Sequence, residues 1–177
     1  MALPDVVLAL RRELYLSAEV GECGELEASA FTAAILGRGL VPLYAPSMAR
    51  WADWFRQAEA DLAHARHALA GGHHEWACFS AQQGAEKAAK AVHGYLGQEA
   101  WGHSVTELLE ALRERLPSVE GALLDRARAL DKLYVPTRYP NGLPAGAPAD
   151  YFTPDEARRA IADAEAVLAF CRGVLSR

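Results

Sequence analysis

The chain has 177 residues, 51% of them apolar, and a formal net charge of −5. That is enough to bury the core of one domain with room for a small appendage, and too apolar for a disordered chain. Residues 1–47 carry three Lys/Arg against six Asp/Glu and residues 48–177 carry fifteen against seventeen, so neither part can coat nucleic acid non-specifically. Any anion site must be a local concentration of positive charge.

Residues 1–47 read as an N-terminal appendage distinct from a domain spanning 48–177. The run Asp5–Leu10 fits a buried strand or a helix start equally well, Glu25–Leu36 a short helix, and Leu40–Tyr44 a strand before Pro46. The segment is too short to hold its own core. Its opening lacks a basic start and a cleavage site, and Ala28–Ala45 carries Arg38, two glycines and a proline, so neither a signal peptide nor a membrane span is expected. Cys23, Cys78 and Cys171 are far apart with no metal-ligand spacing, which predicts reduced thiols in a cytoplasmic protein and no metal site.

From Met48 the apolar positions recur at helical spacing. Trp51, Trp54, Phe55, Ala58, Leu62, Ala65 and Leu69 form one stripe over Arg50–Ala70, stopped by Gly71-Gly72. A second helix is predicted over His73–Leu96, ended by Gly97. Ser104-Val-Thr-Glu107 predicts a capping box opening a third helix to Leu116, and a fourth runs over Val119–Leu133. Thr153-Pro154-Asp155-Glu156 predicts another box, with Pro at the first helical position, opening the last helix through Leu175. Short connections between these segments predict an all-α, up-and-down bundle of four to five helices. The exception is Val135–Phe152, with four prolines and two glycines, longer than packing requires and therefore a candidate functional loop.

Two segments carry candidate binding chemistry. Only three of the eighteen basic residues are lysine, and two of them, Lys87 and Lys90, share a face of the second helix with Gln83 one turn earlier. Two ammonium groups and a neutral donor suit phosphate oxygens, although Glu86–Lys90 also fits an ordinary i,i+4 ion pair. In the loop, Arg138 offers a planar fork for phosphate, Tyr139 a face for a base, and Asn141 a base-edge contact. The competing reading makes Pro140-Asn141-Gly142 a turn and Arg138 a helix C-terminal cap.

The strings Trp76-Ala-Cys-Phe79-Ser-Ala-Gln-Gln83-Gly-Ala-Glu86-Lys87-Ala-Ala-Lys90-Ala, His103-Ser104, Thr137-Arg138-Tyr139-Pro140 and Tyr151-Phe-Thr153-Pro154 resemble, in this order, the hallmarks of HEPN domains of the bacterial, archaeal and sacsin-like branch. The resemblance covers about residues 49–177. It implies a helical bundle that forms a homodimer and binds an ATP- or GTP-like nucleotide or a polyphosphate in a polar groove, without a cofactor. It also implies partnership with a minimal nucleotidyltransferase in a toxin–antitoxin-like system. On this reading the site is Gln83, Lys87, Lys90, Arg138, Tyr139 and Asn141, and no residue is catalytic.

Two other functions stay open. Some HEPN branches are metal-independent ribonucleases that need an Arg and a His with four to six residues between them, but the corresponding positions after Arg138 hold Leu143, Pro144 and Ala145. Arg66 and His73 have a similar spacing at a helix junction and read as coincidence, and His103 reads as a neighbour of the Ser104 cap. The third reading is a structural dimer with no ligand. Residues 1–47 weakly resemble the tail of a nucleotidyltransferase domain, and with no Gly-Ser in the chain such a remnant would be catalytically dead.

Overall fold

A computed structural model describes residues 50–177; the expectations for residues 1–47, including Cys23, lie outside the described residues. Five α-helices make up the bundle: α1 Trp51–Ala70, α2 His74–Tyr95, α3 Val105–Leu112, α4 Gly121–Asp131 and α5 Pro154–Leu175. Among the described residues there is no strand, and no helix is long and apolar enough to cross a membrane. The all-α bundle expected from the periodicity is the fold observed.

Helix α2 is the central element and packs against all four others. Its alanine-rich sequence permits this, because small side chains on every face let neighbouring helices approach closely. Ala77, Ala81, Ala85, Ala88, Ala89 and Val92 are fully buried on it, as are Ala58 and Ala65 of α1 and Ala157 and Ala164 of α5. The approach of α1 is close at Gly84, where a Cβ would sit 3.1 Å from the Ala58 carbonyl oxygen. Larger residues (Leu109, Leu112, Leu130, Leu168) fill the space where α3, α4 and α5 complete the core.

The glycine stops work as expected. At the end of α1 the His73 N–H donates to the Ala68 carbonyl and the Gly72 N–H to the Leu69 carbonyl, with Gly72 at φ +79°. The end of α2 repeats this bonding around Gly97, at φ +73°. These paired bonds satisfy carbonyls the helix ends would leave open, and the left-handed residue they require is glycine.

The Thr153 box is complete: the Thr153 N–H donates to Glu156 Oε2 at 2.9 Å and the Glu156 N–H to Thr153 Oγ1 at 3.3 Å. The Ser104 box is only half formed. Ser104 Oγ accepts from the Glu107 N–H, but the second acceptor at this helix start is Asp131, from the end of α4. Asp131 accepts from the Ser104 hydroxyl at 2.8 Å and from the Val105 and Thr106 N–H groups at 2.6 and 3.1 Å. A carboxylate from another helix thus satisfies the first two helical N–H groups, which the box would not reach, and ties α4 to the start of α3. Helices α3 and α4 are shorter than their periodicity predicts. Their ends tighten into i→i−3 bonds, such as Arg115 N–H to Leu112 O and Leu133 N–H to Leu130 O, before the chain turns away.

Candidate functional site

The loop after α4 supplies the centre of the site. Thr137 is buried and donates its hydroxyl to the Leu133 carbonyl at 2.6 Å, pinning the loop to the helix end. Arg138 follows, donating Nε to the Tyr134 carbonyl at 2.9 Å. Its Cζ lies 4.3 Å from the Tyr134 ring centroid, 4.7 Å from that of Phe79 on α2 and 4.9 Å from that of Tyr139. Three π systems and a carbonyl therefore fix the guanidinium, and its two terminal nitrogens have no acceptor among the described residues. The competing helix-cap reading does not describe Nε, whose acceptor Tyr134 lies in the turn three residues past the end of α4, and the outer edge of the fork has no acceptor among the described residues.

From Tyr134 the cluster continues toward α2. The His103 imidazole stacks on the Tyr134 ring, with centroids 4.7 Å apart, and its Nδ1 lies 3.2 Å from Glu86 Oε1. Glu86 is buried and is the hub of the cluster. Its carboxylate also accepts from Lys90 Nζ at 2.9 Å, from Gln83 Nε2 at 3.0 Å and from Gln82 Nε2 at 3.4 Å. Gln82, fully buried, donates to the His103 carbonyl at 3.0 Å as well, so the His103 backbone and ring are both anchored to α2.

Lys87 and Lys90 are not open cations. Lys87 donates to Asp61 of α1 at 2.6 Å and to Gln83 Oε1 at 3.1 Å. Lys90 pairs with Glu86 and lies 5.8 Å from the centroid of the Trp54 ring. The ion-pair alternative for Glu86–Lys90 is the arrangement observed. Lys87 nevertheless lines a cavity of about 400 Å³ with Arg50, Asp53, Trp54, Arg56 and Gln57. Asn141 stands apart: it is exposed in a single 3-10 turn, Pro140–Gly142, and its side chain makes no hydrogen bond among the described residues.

Gln83, Lys87 and Lys90 are thus joined to Arg138 through one chain of contacts that runs over Glu86, His103 and Tyr134. Five cations (Arg50, Arg56, Lys87, Lys90, Arg138) and three carboxylates (Asp53, Asp61, Glu86) lie along this seam, a local positive balance in an acidic chain.

Sequence reasoning missed Phe79, Tyr134, Asp61 and the real position of His103, which does more than flank the cap. No spacing rule connects a loop arginine to an aromatic one helix away. Arg66, by contrast, is held by Glu165 of α5 at 2.7 Å, away from this cluster's contacts. His93 is a structural histidine, buried with its two ring nitrogens against the Leu108 carbonyl and Gln98. Among the described residues no group of three His, Cys, Asp or Glu side chains is arranged to hold a metal ion.

Cys78 and Cys171 are fully buried. Burial, reinforced by the nearby Glu156 and Glu75 carboxylates, pushes the Cys78 thiol up to about 12, and burial alone drives Cys171 upward. Both stay protonated and neither is a nucleophile.

Comparison with known proteins fits this architecture. Residues 51–174 match the HEPN domain. The chain belongs to the HEPN family. A crystal structure of TT1696 from Thermus thermophilus is 46% identical, with a TM-score of 0.69, and the match covers 71% of this chain and 98% of that one. ST0689, described as an archaeal HEPN homologue, is 41% identical with a TM-score of 0.60, over 70% and 96% of the two chains. A HEPN domain protein of Thermotoga maritima, tm0613, is also 41% identical, with a TM-score of 0.59 over 71% and 98%. A search of curated proteins found no match. Every element of the site described above falls within the HEPN-matched residues except Arg50.

Proposed function

We propose that this HEPN protein binds a nucleotide or polyphosphate on the seam running from Lys87 to Arg138, with Arg138 as the principal phosphate contact. The observation that carries the reading is the state of the Arg138 guanidinium. It is held by three aromatic rings and one carbonyl, and its outer fork has no acceptor among the described residues. A fixed fork of this kind loses little further freedom on pairing with a phosphate, which favours affinity. Lys87 and Lys90, engaged by Asp61 and Glu86, contribute field and groove shape more than direct contacts. Tyr139, half-exposed beside Arg138, extends the aromatic surface.

Calorimetric titration of ATP and GTP at low and raised salt tests the reading. Binding that weakens with salt is expected, because the attraction lies between phosphates and a few cations. No heat of binding at either salt concentration refutes it.

The His103–Glu86 pair favours a second reading, a metal-independent ribonuclease. An imidazole whose Nδ1 is held by a buried carboxylate keeps Nε2 available to accept a proton, and Arg138 is reached through the ring beneath it. A gel assay on structured RNA separates the two: cleavage lost in both His103→Ala and Arg138→Ala promotes the ribonuclease. The family resemblance extends the proposal to a homodimer and to a minimal nucleotidyltransferase partner in a toxin–antitoxin-like pair. Light scattering and co-purification test these. Trp101, 83% exposed, offers aromatic surface for self-association, whereas Trp51 is packed edge-on to Tyr95 and Trp54 faces Lys90.

A further inference from the structure

His103 touches both halves of the seam. Its ring stacks on Tyr134, with centroids 4.7 Å apart, and its Nδ1 lies 3.2 Å from Glu86 Oε1. The Tyr134 centroid is in turn 4.3 Å from Arg138 Cζ, so the imidazole and the guanidinium are less than about 10 Å apart, the screening length at moderate salt. With Nδ1–H donated to the Glu86 carboxylate, a second proton goes to Nε2. That nitrogen has no hydrogen bond among the described residues, and the side chain is 58% exposed, so solvent can deliver a proton without breaking a bond. An imidazole changes charge between about pH 5 and pH 8.

The groups around the ring decide what that proton does. Helix α2 presents Glu86 and Lys90, the segment after α4 presents Tyr134 and Arg138, and Asp131 at the end of α4 bonds Ser104, the next residue. Lys90 Nζ donates at 2.9 Å to the same Glu86 oxygen that faces His103. The carboxylate is therefore already offset by one ammonium, and a protonated His103 adds a positive charge beyond it. In the unliganded seam the charges of Lys90 and Arg138 oppose that proton. An anion paired with Arg138 relieves the opposition, and the protonated imidazole in turn attracts the anion. The two effects are equal and reciprocal.

We propose that anion binding at Arg138 is coupled to uptake of a proton at His103, so that the seam holds its ligand more tightly as pH falls through the imidazole range. The coupling rests on the anion reading of Arg138 and adds the regulation of that site. Charges at this separation change an equilibrium constant by about two- to twentyfold, from water-like to protein-surface dielectric. His93 is no such sensor, because it is buried with both ring nitrogens engaged.

The test is calorimetric titration of the full chain with cyclic trimetaphosphate, whose own charge is constant across the imidazole range. The wild type, His103→Phe, His103→Gln and Arg138→Ala are compared at several pH values, each in two buffers of different ionisation enthalpy. The wild type is expected to bind about two- to twentyfold more tightly at the acid end, with a binding heat that differs between buffers by the proton taken up. His103→Phe keeps a ring against Tyr134 and His103→Gln keeps a polar contact to Glu86, and both are expected to bind with no pH dependence and no proton uptake. In the wild type, the His103 ring resonance followed by NMR is expected to titrate at higher pH with trimetaphosphate bound than without it. A wild-type affinity that is flat with pH but lost in Arg138→Ala overturns the coupling and leaves the anion reading standing. A pH dependence that persists in both His103 variants, or a His103 titration unmoved by the ligand, also overturns the coupling. A wild type that binds trimetaphosphate at no pH overturns both.

Discussion

Arg138 and Tyr134 are joined twice, by the 2.9 Å bond from the arginine Nε to the tyrosine carbonyl and by a guanidinium 4.3 Å from the tyrosine ring centroid. The same tyrosine ring carries His103 on a stack 4.7 Å deep. One residue in the turn after α4 therefore sets both the cation of the loop and the imidazole that reaches Glu86. Tyr134→Ala should loosen both at once, whereas Tyr134→Phe should keep the ring and the carbonyl and change little. Ligand affinity compared between the two variants checks this.

Lys90 is expected to matter for stability more than for ligand contact. Lys90→Met removes the 2.9 Å partner of a buried carboxylate and leaves Glu86 with its glutamines and His103. The cost should be about 1.5–3 kcal/mol, the range for a hydrogen bond to a charged group. Thermal unfolding measures it. An unchanged melting temperature together with lost nucleotide binding would show instead that Lys90 touches the ligand.

Gly84 sets the separation of α1 and α2. Gly84→Val forces side-chain atoms into the 3.1 Å approach to the Ala58 carbonyl, and overpacking of this kind costs roughly 1–3 kcal/mol. Chemical denaturation of the variant should show it as a lower midpoint.

The two buried thiols should resist modification. In the folded protein a chromogenic disulfide reagent is expected to spare Cys78 and Cys171, whose thiols are held protonated, and to reach both only after denaturation. Rapid reaction of either in native buffer would mean that α2 or α5 opens locally.

Much of this architecture was legible in the sequence because it is local. The apolar stripe of Trp51–Leu69, the glycine stops and the Thr153 box each act within one or two turns, and each lies where its spacing placed it. What was not legible depends on contacts across the bundle. Asp131 caps a helix 25 to 27 residues earlier, and Lys87 finds Asp61 26 residues away on α1. Local sequence makes His103 a mere neighbour of the Ser104 cap, because nothing near it announces Tyr134, 31 positions on. The lysine pair shows the local case: the i,i+4 spacing of Glu86 and Lys90 made their ion pair legible, and that pair is observed.

Acid should weaken the start of α5. Hydrogen bonds from the Thr153 side chain, then from its backbone, hold the Glu156 carboxyl below the usual carboxylate range. A carboxyl depressed in the folded state contributes stability above its unfolded value, and that contribution is lost as pH falls through the lower folded value. Glu156→Gln should therefore flatten the acid limb of the stability–pH curve, and Thr153→Ala should cost about 1 kcal/mol at neutral pH. Unfolding curves taken across the acid range check both.

The central claim is that Arg138 holds a phosphate, and calorimetric titration of ATP into three proteins tests it most directly. Relative to the wild type, Arg138→Ala should lose about 1.5–3 kcal/mol of affinity, the range for a hydrogen bond to a charged group. Arg138→Lys should recover only part of that loss, because it keeps the charge but not the planar fork. ATP affinity that is the same in all three proteins would contradict the account, because any ATP bound would then be held without Arg138.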